Sequence, residues 1–283
     1  RSSIEFAKNA AEEYQMPSEA LQQVGKINAA ATHKGMTANT DYAKHLTKTG
    51  EYYRLLDAAE MQELTGINYY QGGLWTPGTV LLQPALYIRS LADGVAMYSN
   101  LYLYENSAVI ELTDEGRYED RTLWKAKTMS GSVISPKVIL AVNGLIEKFG
   151  YFQKRLMHVF TYASMTRQLS TDEVKNLGGQ SAWSFTSADP MGSSVRRLSG
   201  TGGDRIMVRN RFTYEPSMEV SGSRIMSVSN SHISAFSARF PMLDKVSMEY
   251  CWGGRLCLSL NNVFAQGEVA EGLYSACCQN GLG

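Results

Sequence analysis

Val138-Ile139-Leu140-Ala141-Val142-Asn143-Gly144 is the stretch on which the fold turns. Five apolar residues run without interruption into a polar turn. A strand with one wet face alternates apolar and polar residues. A continuous run instead predicts a strand buried on both faces, and hence a parallel sheet in an α/β layer. The Asn143-Gly144 turn would lie at the carboxyl edge of that sheet, where α/β proteins bind ligands. An ordinary strand end is the alternative, and the stretch taken alone favours it.

Around this strand the period is two. Residues 101–104, 108–112, 123–126 and 132–134 read as a meander. Downstream, 156–167, 182–186, 205–211 and 224–228 are strand candidates, separated by Gly/Ser turns at 178–179, 199–203 and 221–223. Residues 232–240 predict a helix stopped by Pro241. Alternation returns at 246–252, 255–260 and 272–276. Upstream, residues 1–65 read as helical: 3–14, then a short helix capped by Ser18 through Leu21 and Val24, then 52–64 stopped by Gly66. Tyr69-Tyr70-Gln71-Gly72-Gly73-Leu74-Trp75 reads as extended, its glycines permitting close approach to the backbone. Pro84 opens a helix to about Met97. The fold class is therefore mixed, α+β with α/β character: an α/β layer plus an antiparallel β-sheet from about 151 to 230.

The chain has 283 residues, 44% apolar and 19% charged, an ordinary globular balance. Lys+Arg and Asp+Glu are equal at 27 each. Nothing in that balance asks for a nucleic-acid partner or an anionic membrane surface. No stretch is long and apolar enough for a spanning helix. Arg1-Ser2-Ser3-Ile4-Glu5 is neither an initiator Met nor a signal peptide, and both ends read as cuts through a longer protein. Cys251, Cys257, Cys277 and Cys278 crowd the end of the chain without metal-ligand spacing. They read as buried free thiols, so the expected location is cytoplasmic. His33, His45, His158 and His232 are scattered, and no hydrolytic triad, zinc or P-loop motif accompanies them.

Three further stretches bear on chemistry. Trp252-Gly253-Gly254-Arg255 places two glycines beside an aromatic, which suits a flat ligand or a β-bulge. The run from Tyr274 to Gly281-Leu282-Gly283 meets a Gly-x-Gly, the usual prelude to a helix whose amides face an anion. Arg196-Arg197, Arg205, Arg209 and Arg211 form either a solvated charged face or a carboxylate clamp. Strand alternation puts Arg209 and Arg211 on one face, and Arg196 and Arg197 on opposite faces.

Taken in order, residues 69–75, Leu82-Gln83-Pro84-Ala85-Leu86-Tyr87-Ile88-Arg89-Ser90-Leu91-Ala92, Val138–Gly144, Ser187–Arg197, Trp252-Gly253-Gly254-Arg255 and Asn280-Gly281-Leu282-Gly283 resemble the D-amino-acid oxidase (DAO-type) family of FAD-dependent oxidoreductases. The series is most similar to its γ-glutamylputrescine oxidase-like branch, over about residues 50–283. The resemblance implies a DAO-like FAD-binding layer, incomplete here, with an antiparallel substrate domain. Its implied boundaries are 1–150 for a partial FAD-binding domain with a helical N-terminal segment, 151–235 for the substrate domain, and 236–283 for the return.

The resemblance also implies roles. Val109, Asn143, Gly144, Trp252, Gly253, Gly281, Leu282 and Gly283 would lie by FAD, with Leu282 where the family often has His. Gly73, Trp75 and Arg209 would lie by the substrate. No metal is implied, and no catalytic residue is singled out. The implied reaction is hydride transfer from the carbon of a C–N bond to flavin, with a small-molecule amine or amino acid as substrate and oxygen or another electron acceptor. The family's Gly-x-Gly-x-x-Gly signature is not in this sequence, so the piece is expected to be inactive by itself. A non-catalytic ligand-binding or interaction domain, and a flavin dehydrogenase using a quinone or protein acceptor, stay open.

Overall fold

The computed structural model describes residues 2–279. In chain order the elements are α1 (Ser2–Glu13), a 3₁₀ turn (Ser18–Ala20), β1 (Leu21–Gln22), β2 (Lys26–Ala30), α2 (His33–Thr49), β3 (Arg54–Asp57), α3 (Ala58–Thr65), β4 (Gly72–Thr76), β5 (Leu81–Leu82) and α4 (Pro84–Val95). There follow β6 (Glu111–Tyr118), β7 (Arg121–Lys127), β8 (Ser132–Ser135), β9 (Val138–Leu140), a 3₁₀ helix (Asn143–Phe149), β10 (Leu156–Thr166) and α5 (Thr171–Leu177). The chain closes with β11 (Trp183–Ser187), β12 (Ser194–Leu198), β13 (Arg205–Tyr214), α6 (Gly222–Arg239), a 3₁₀ turn (Pro241–Leu243), β14 (Met248–Ser259), β15 (Ala265–Ala270) and β16 (Leu273–Cys277).

The chain divides into two compact units. One holds the residues up to Tyr102, Tyr162–Arg211 and Ser221–Gly253; the other holds Leu103–Thr161, Phe212–Val220 and the residues from Gly254 on. The first is built on an eight-stranded mixed sheet in the order β14-β10-β13-β12-β11-β2-β4-β3. Its centre is a parallel pair, with Phe185 of β11 opposite Ile27 of β2. β11, β12 and β13 form an antiparallel meander.

Cross-strand register assigns the two faces of this sheet. Ile27, Phe185, Val195 and Val208 lie in one row and are all buried in the main core. Trp75 and Arg54 extend the row to the edge. Met61 of α3, Leu177 of α5 and Phe236 of α6 join the same core. Trp183 stacks on Phe185 with ring centroids 4.3 Å apart. On the opposite face, α2 lays Ala43 and Leu46 against Leu74.

Local chemistry explains the helix ends. The side chain of Thr32 caps α2, which stops at Gly50 in the left-handed region. Asp57 and Glu60 form a capping box on α3, and Gly66, at φ +79°, ends it. Ser170 and Glu173 repeat that box on α5. Glu173 also accepts two hydrogen bonds from Arg167, at 2.8 and 2.7 Å. That fork, helped by the Ser170 amide, holds the Glu173 carboxyl down at about 2, against an ordinary 4.5. A depressed carboxylate adds stability above its unfolded value and loses it as pH falls through the folded one. Arg167→Gln should therefore raise the midpoint of Glu173 toward 4.5, which an NMR carboxylate titration reads directly. The variant should also tolerate acid less well.

In the second unit β6-β7-β8 is an antiparallel sheet, and β15-β16-β9 is a second sheet in which β9 runs parallel to β16. Trp124, Leu140, Ile146, Leu273 and the thiols of Cys257, Cys277 and Cys278 form its core. Trp124 Nε1 donates to the Glu271 carbonyl at 2.9 Å. The four cysteines form no disulfide among the described residues, and burial together with Cys278 pushes the Cys257 thiol up to about 12.

Several expected elements come out differently. Residues 1–65 are not all helical: β2 and β3 pass through them, and the helix expected from 52 starts only at Ala58, where the capping box begins. Beyond Ser18 the short helix gives way at once to β1, because Leu21 pairs with Leu82. Residues 101–104 form no strand, and their side chains are exposed. β9 is parallel as expected but not buried on both faces, because it is a sheet edge and Ile139 is 69% exposed. Residues 224–228 are the first turns of α6, with Ser221 accepting from the Arg224 amide as its cap. The expected strands at 246–252 and 255–260 are a single strand, β14.

Candidate functional site

The face of the eight-stranded sheet opposite the main core is polar toward β13. Alternation places Ser184 and Thr186 of β11, Ser194 and Arg196 of β12, and Met207 and Arg209 of β13 there. Ser194 stands opposite Arg209, and Arg196 opposite Met207, so the two arginines are diagonal neighbours. Such pairs sit roughly 7–8 Å apart and repel by about 2 kcal/mol at a surface dielectric. No carboxylate pairs with either guanidinium among the described residues. Burial lowers the pKa of Arg196, and the neighbouring charge of Arg209 lowers it further. Two adjacent cations facing away from the core, one half-buried and one exposed, are equipped to hold an anion.

Arg197 is the opposite case. It turns into the core, 2% exposed, and donates to the carbonyls of Gly178 (2.5 Å) and Gln180 (3.0 Å) and to Asp204 (3.4 Å). Its role is structural. The turn before β12 is also anchored: Asp189 accepts from the Ala31 amide at 2.8 Å and from the Thr32 hydroxyl at the start of α2. A carboxylate there suits the positive end of the helix.

Beyond Arg209 the strand is held from the core side. Asn210 Nδ2 donates to Ser193 Oγ at 3.1 Å, and the Ser231 hydroxyl donates to Asn210 Oδ1 at 3.0 Å. The Asn210 amide meets His232 Nε2 at 3.3 Å, and His232 Nδ1 lies 2.8 Å from Ser164 Oγ. Arg211 follows in the left-handed region at φ +61°, which L-residues seldom adopt. Sequence reasoning missed this network. Its trace was the spacing of Val228, His232 and Phe236, the buried stripe of α6.

Gly73 and Trp75 lie on the core face of β4, four strands from Arg209. A Cβ on Gly73 would come 2.8 Å from Met61 Sδ and 2.9 Å from Ile27 Cγ2, so packing already accounts for that glycine. Trp75 Nε1 donates to the Val24 carbonyl at 3.2 Å. Neither residue is brought together with Arg209. Trp252 and Gly253 lie on β14, two strands from β13, with Trp252 39% exposed.

Val109, Asn143 and Gly144 belong to the second unit. Val109 precedes β6 and is exposed, next to the exposed Ile110. Asn143, at φ +50°, accepts the Cys278 amide on its Oδ1 at 3.2 Å. A Cβ on Gly144 would stand 2.7 Å from the His158 ring, so the bare glycine makes room for that imidazole. His158 Nε2 pairs with Glu147 Oε2 at 2.6 Å, while its Nδ1 is buried without a partner. Gly281, Leu282 and Gly283 lie outside the described residues. No group of three or more metal-ligating side chains, and no helix long and apolar enough to cross a membrane, occurs among the described residues.

Comparison with known proteins gives this geometry a family. The family model described as "DAO: FAD dependent oxidoreductase" matches residues 1–283. Among curated proteins, the "Probable oxidoreductase OrdL" of Haemophilus influenzae is 23% identical over 239 residues, covering 81% of this chain and 50% of that protein. The chain thus spans about half the length of that relative. Glycine oxidase from Geobacillus kaustophilus superposes with a TM-score of 0.75 at 17% identity, over 98% of this chain and 71% of that one. L-proline dehydrogenase from P. horikoshii does so with a TM-score of 0.73 at 17% identity, over 100% and 73%. These likenesses show a shared fold. With the family model matched from end to end, the chain belongs to the DAO family of FAD dependent oxidoreductases.

Proposed function

We propose that the whole protein oxidises the C–N bond of an amine or amino acid that also carries a carboxylate, and that Arg196 and Arg209 hold that carboxylate. The observation that carries this reading is the pair of adjacent, unpaired arginines on the polar face of the sheet. Gly73 and Trp75 serve the core in this reading, and substrate recognition moves from them to Arg196. The motif order supports the γ-glutamylputrescine oxidase-like branch, whose substrate type joins an amine to a carboxylate.

The described residues fit FAD in part. Exposed, apolar Val109 and Ile110 suit a flat ring, and we assign the Asn143-Gly144 turn to the nucleotide side as well. No Gly-x-Gly-x-x-Gly amide cradle for the pyrophosphate occurs among the described residues. Bound FAD supplies the acceptor for the hydride leaving the carbon beside nitrogen. This chain's contribution is positioning: the two guanidiniums fix one end of the substrate, so that its amine end presents a single geometry. Water then hydrolyses the imine. We assign residues 1–150 and 236–283 to the cofactor side and 151–235 to the substrate side. Four cysteines in the thiol form support a cytoplasmic location.

The test uses the full-length protein. It should carry flavin absorbance that bleaches when a carboxylate-bearing amine is added without air. A colourless protein, or flavin indifferent to amines, would sink the proposal. Peroxide release in air separates oxygen from a quinone or protein acceptor. A charge-assisted bond contributes about 1.5–3 kcal/mol, so Arg209→Gln should lower kcat/KM about 10- to 100-fold, mainly through KM. Amines without a carboxylate should be unaffected.

A further inference from the structure

We propose that His232 is a positioning residue for the arginine face: its imidazole bridges β10 and β13 at Asn210 and so fixes where Arg209 points. This deepens the reading of Arg209 given above. His232 is fully buried on α6, and one ring nitrogen lies 2.8 Å from Ser164 of β10. The other lies 3.3 Å from the amide and 3.4 Å from the carbonyl of Asn210. β12 pairs with β13 only as far as Arg209. At Asn210, then, a side chain from a helix supplies hydrogen bonding that the ladder to β12 no longer gives. Immediately afterwards Arg211 enters the left-handed region, so the strand turns at this point.

Asn210 is gripped from three directions, by Ser193, Ser231 and His232, all on the core side. Its neighbour Arg209 points the other way. Rotation of the Asn210 peptide would redirect Arg209 away from Arg196. The imidazole is suited to the task only while neutral. Burial lowers its pKa; the Asn210 backbone bond works in the other direction, and Arg211 of β13, the charged group acting on it, lowers it. Ser164, which it meets on β10, is neutral, and so is Ser229 of α6 beside Ser164. Protonation in acid would turn the nitrogen that accepts from the Asn210 amide into a donor and leave a buried cation near Arg211, loosening the turn.

The experiment measures calorimetric binding of inorganic sulfate, a dianion throughout the range, between pH 8 and 5. The full chain is compared with His232→Phe, His232→Gln and Arg209→Gln. The amide nitrogen of Gln can reach roughly where Nε2 lies, whereas Phe fills the space without a polar atom. His232→Phe should weaken sulfate about 3- to 10-fold at pH 8, and His232→Gln should restore affinity to within about two-fold. On acidification the wild type should lose affinity while His232→Gln does not. Hydrogen exchange at residues 209–211 should be about ten-fold faster in His232→Phe. Unchanged binding and exchange in His232→Phe would overturn the proposal, as would identical acid limbs for wild type and His232→Gln. If the wild type ignores sulfate, or Arg209→Gln binds equally well, the arginine reading fails, while exchange at 209–211 still decides the role of His232.

Discussion

Arg197→Met should destabilise the first unit by about 3–5 kcal/mol, one of the largest effects expected of any single replacement in this chain. Arg197 is among the largest fully buried side chains, and its guanidinium joins the loop after α5 to the loop before β13. Two of its bonds go to the carbonyls of Gly178 and Gln180, and the third reaches Asp204, whose side chain is 27% exposed. Methionine fills most of the volume but supplies no donor to the Gly178 and Gln180 carbonyls. A hydrogen bond from a charged group contributes about 1.5–3 kcal/mol, and Asp204 loses a partner besides. Lysine should rescue poorly, because one ammonium cannot reproduce the spread of the fork. Urea unfolding followed by tryptophan fluorescence reads the change. A midpoint shift worth under about 1 kcal/mol would show that the loops hold without the arginine.

Gly66→Ala acts on the loop after α5 from the other side and should cost about 3–4 kcal/mol. Gly66 closes α3 at φ +79°, a conformation L-residues adopt at a cost of about 1–2 kcal/mol. Space is the larger problem. A Cβ there would stand 1.9 Å from the carbonyl oxygen of Leu177 and 3.2 Å from the carbonyl carbon of Gly178. The obstruction is backbone, so no rotamer change relieves it. Gly179 meets the obstruction reciprocally, since its own Cβ would fall 2.6 Å from the Gly66 amide. The Gln180 amide donates to the Leu64 carbonyl at 2.8 Å, tying the two helix ends together. Thermal unfolding of Gly66→Ala beside Gly50→Ala isolates the contact. Gly50 has a similar φ of +68°, with nothing near its absent Cβ. Gly50→Ala should therefore show only the conformational cost, and equal losses in both would refute the packing argument.

What the amino-acid sequence discloses here is punctuation. Pro84 opens α4 and Gly66 closes α3 where expected, because each acts through its own backbone. Gly72–Thr76 is extended as read, and strand alternation correctly puts Arg196 and Arg197 on opposite faces. β2 escapes because Lys26-Ile27-Asn28-Ala29-Ala30 ends in two small residues, and only its partners β4 and β11 make it a strand. The start of α3 was legible in Asp57 and Glu60, the two residues of its capping box. Residues 224–228 misled because Ile225 and Val228 favour strands, and the helix follows from what α6 packs against. At the site, Arg209 was visible as a residue. Its neighbour Arg196 was not visible as a partner, because adjacency across strands depends on register, which no local pattern encodes.

The parallel pair at the centre of the sheet has a consequence for how the chain acquires its structure. Ile27 must find Phe185, and every residue between them has to be synthesised first. Until then β2 can join only β4 and β3, leaving an open edge of unsatisfied amides and carbonyls. Pairings this distant carry loop-closure entropy before any contact repays it, so folding is expected to be slow and late. During synthesis α2, β3, α3 and β4 can assemble as an early local module around Leu56, Met61 and Leu74. The β11–β13 meander then docks onto β2 as the closing step, and the emerging chain is most open to misassociation in the interval before it does.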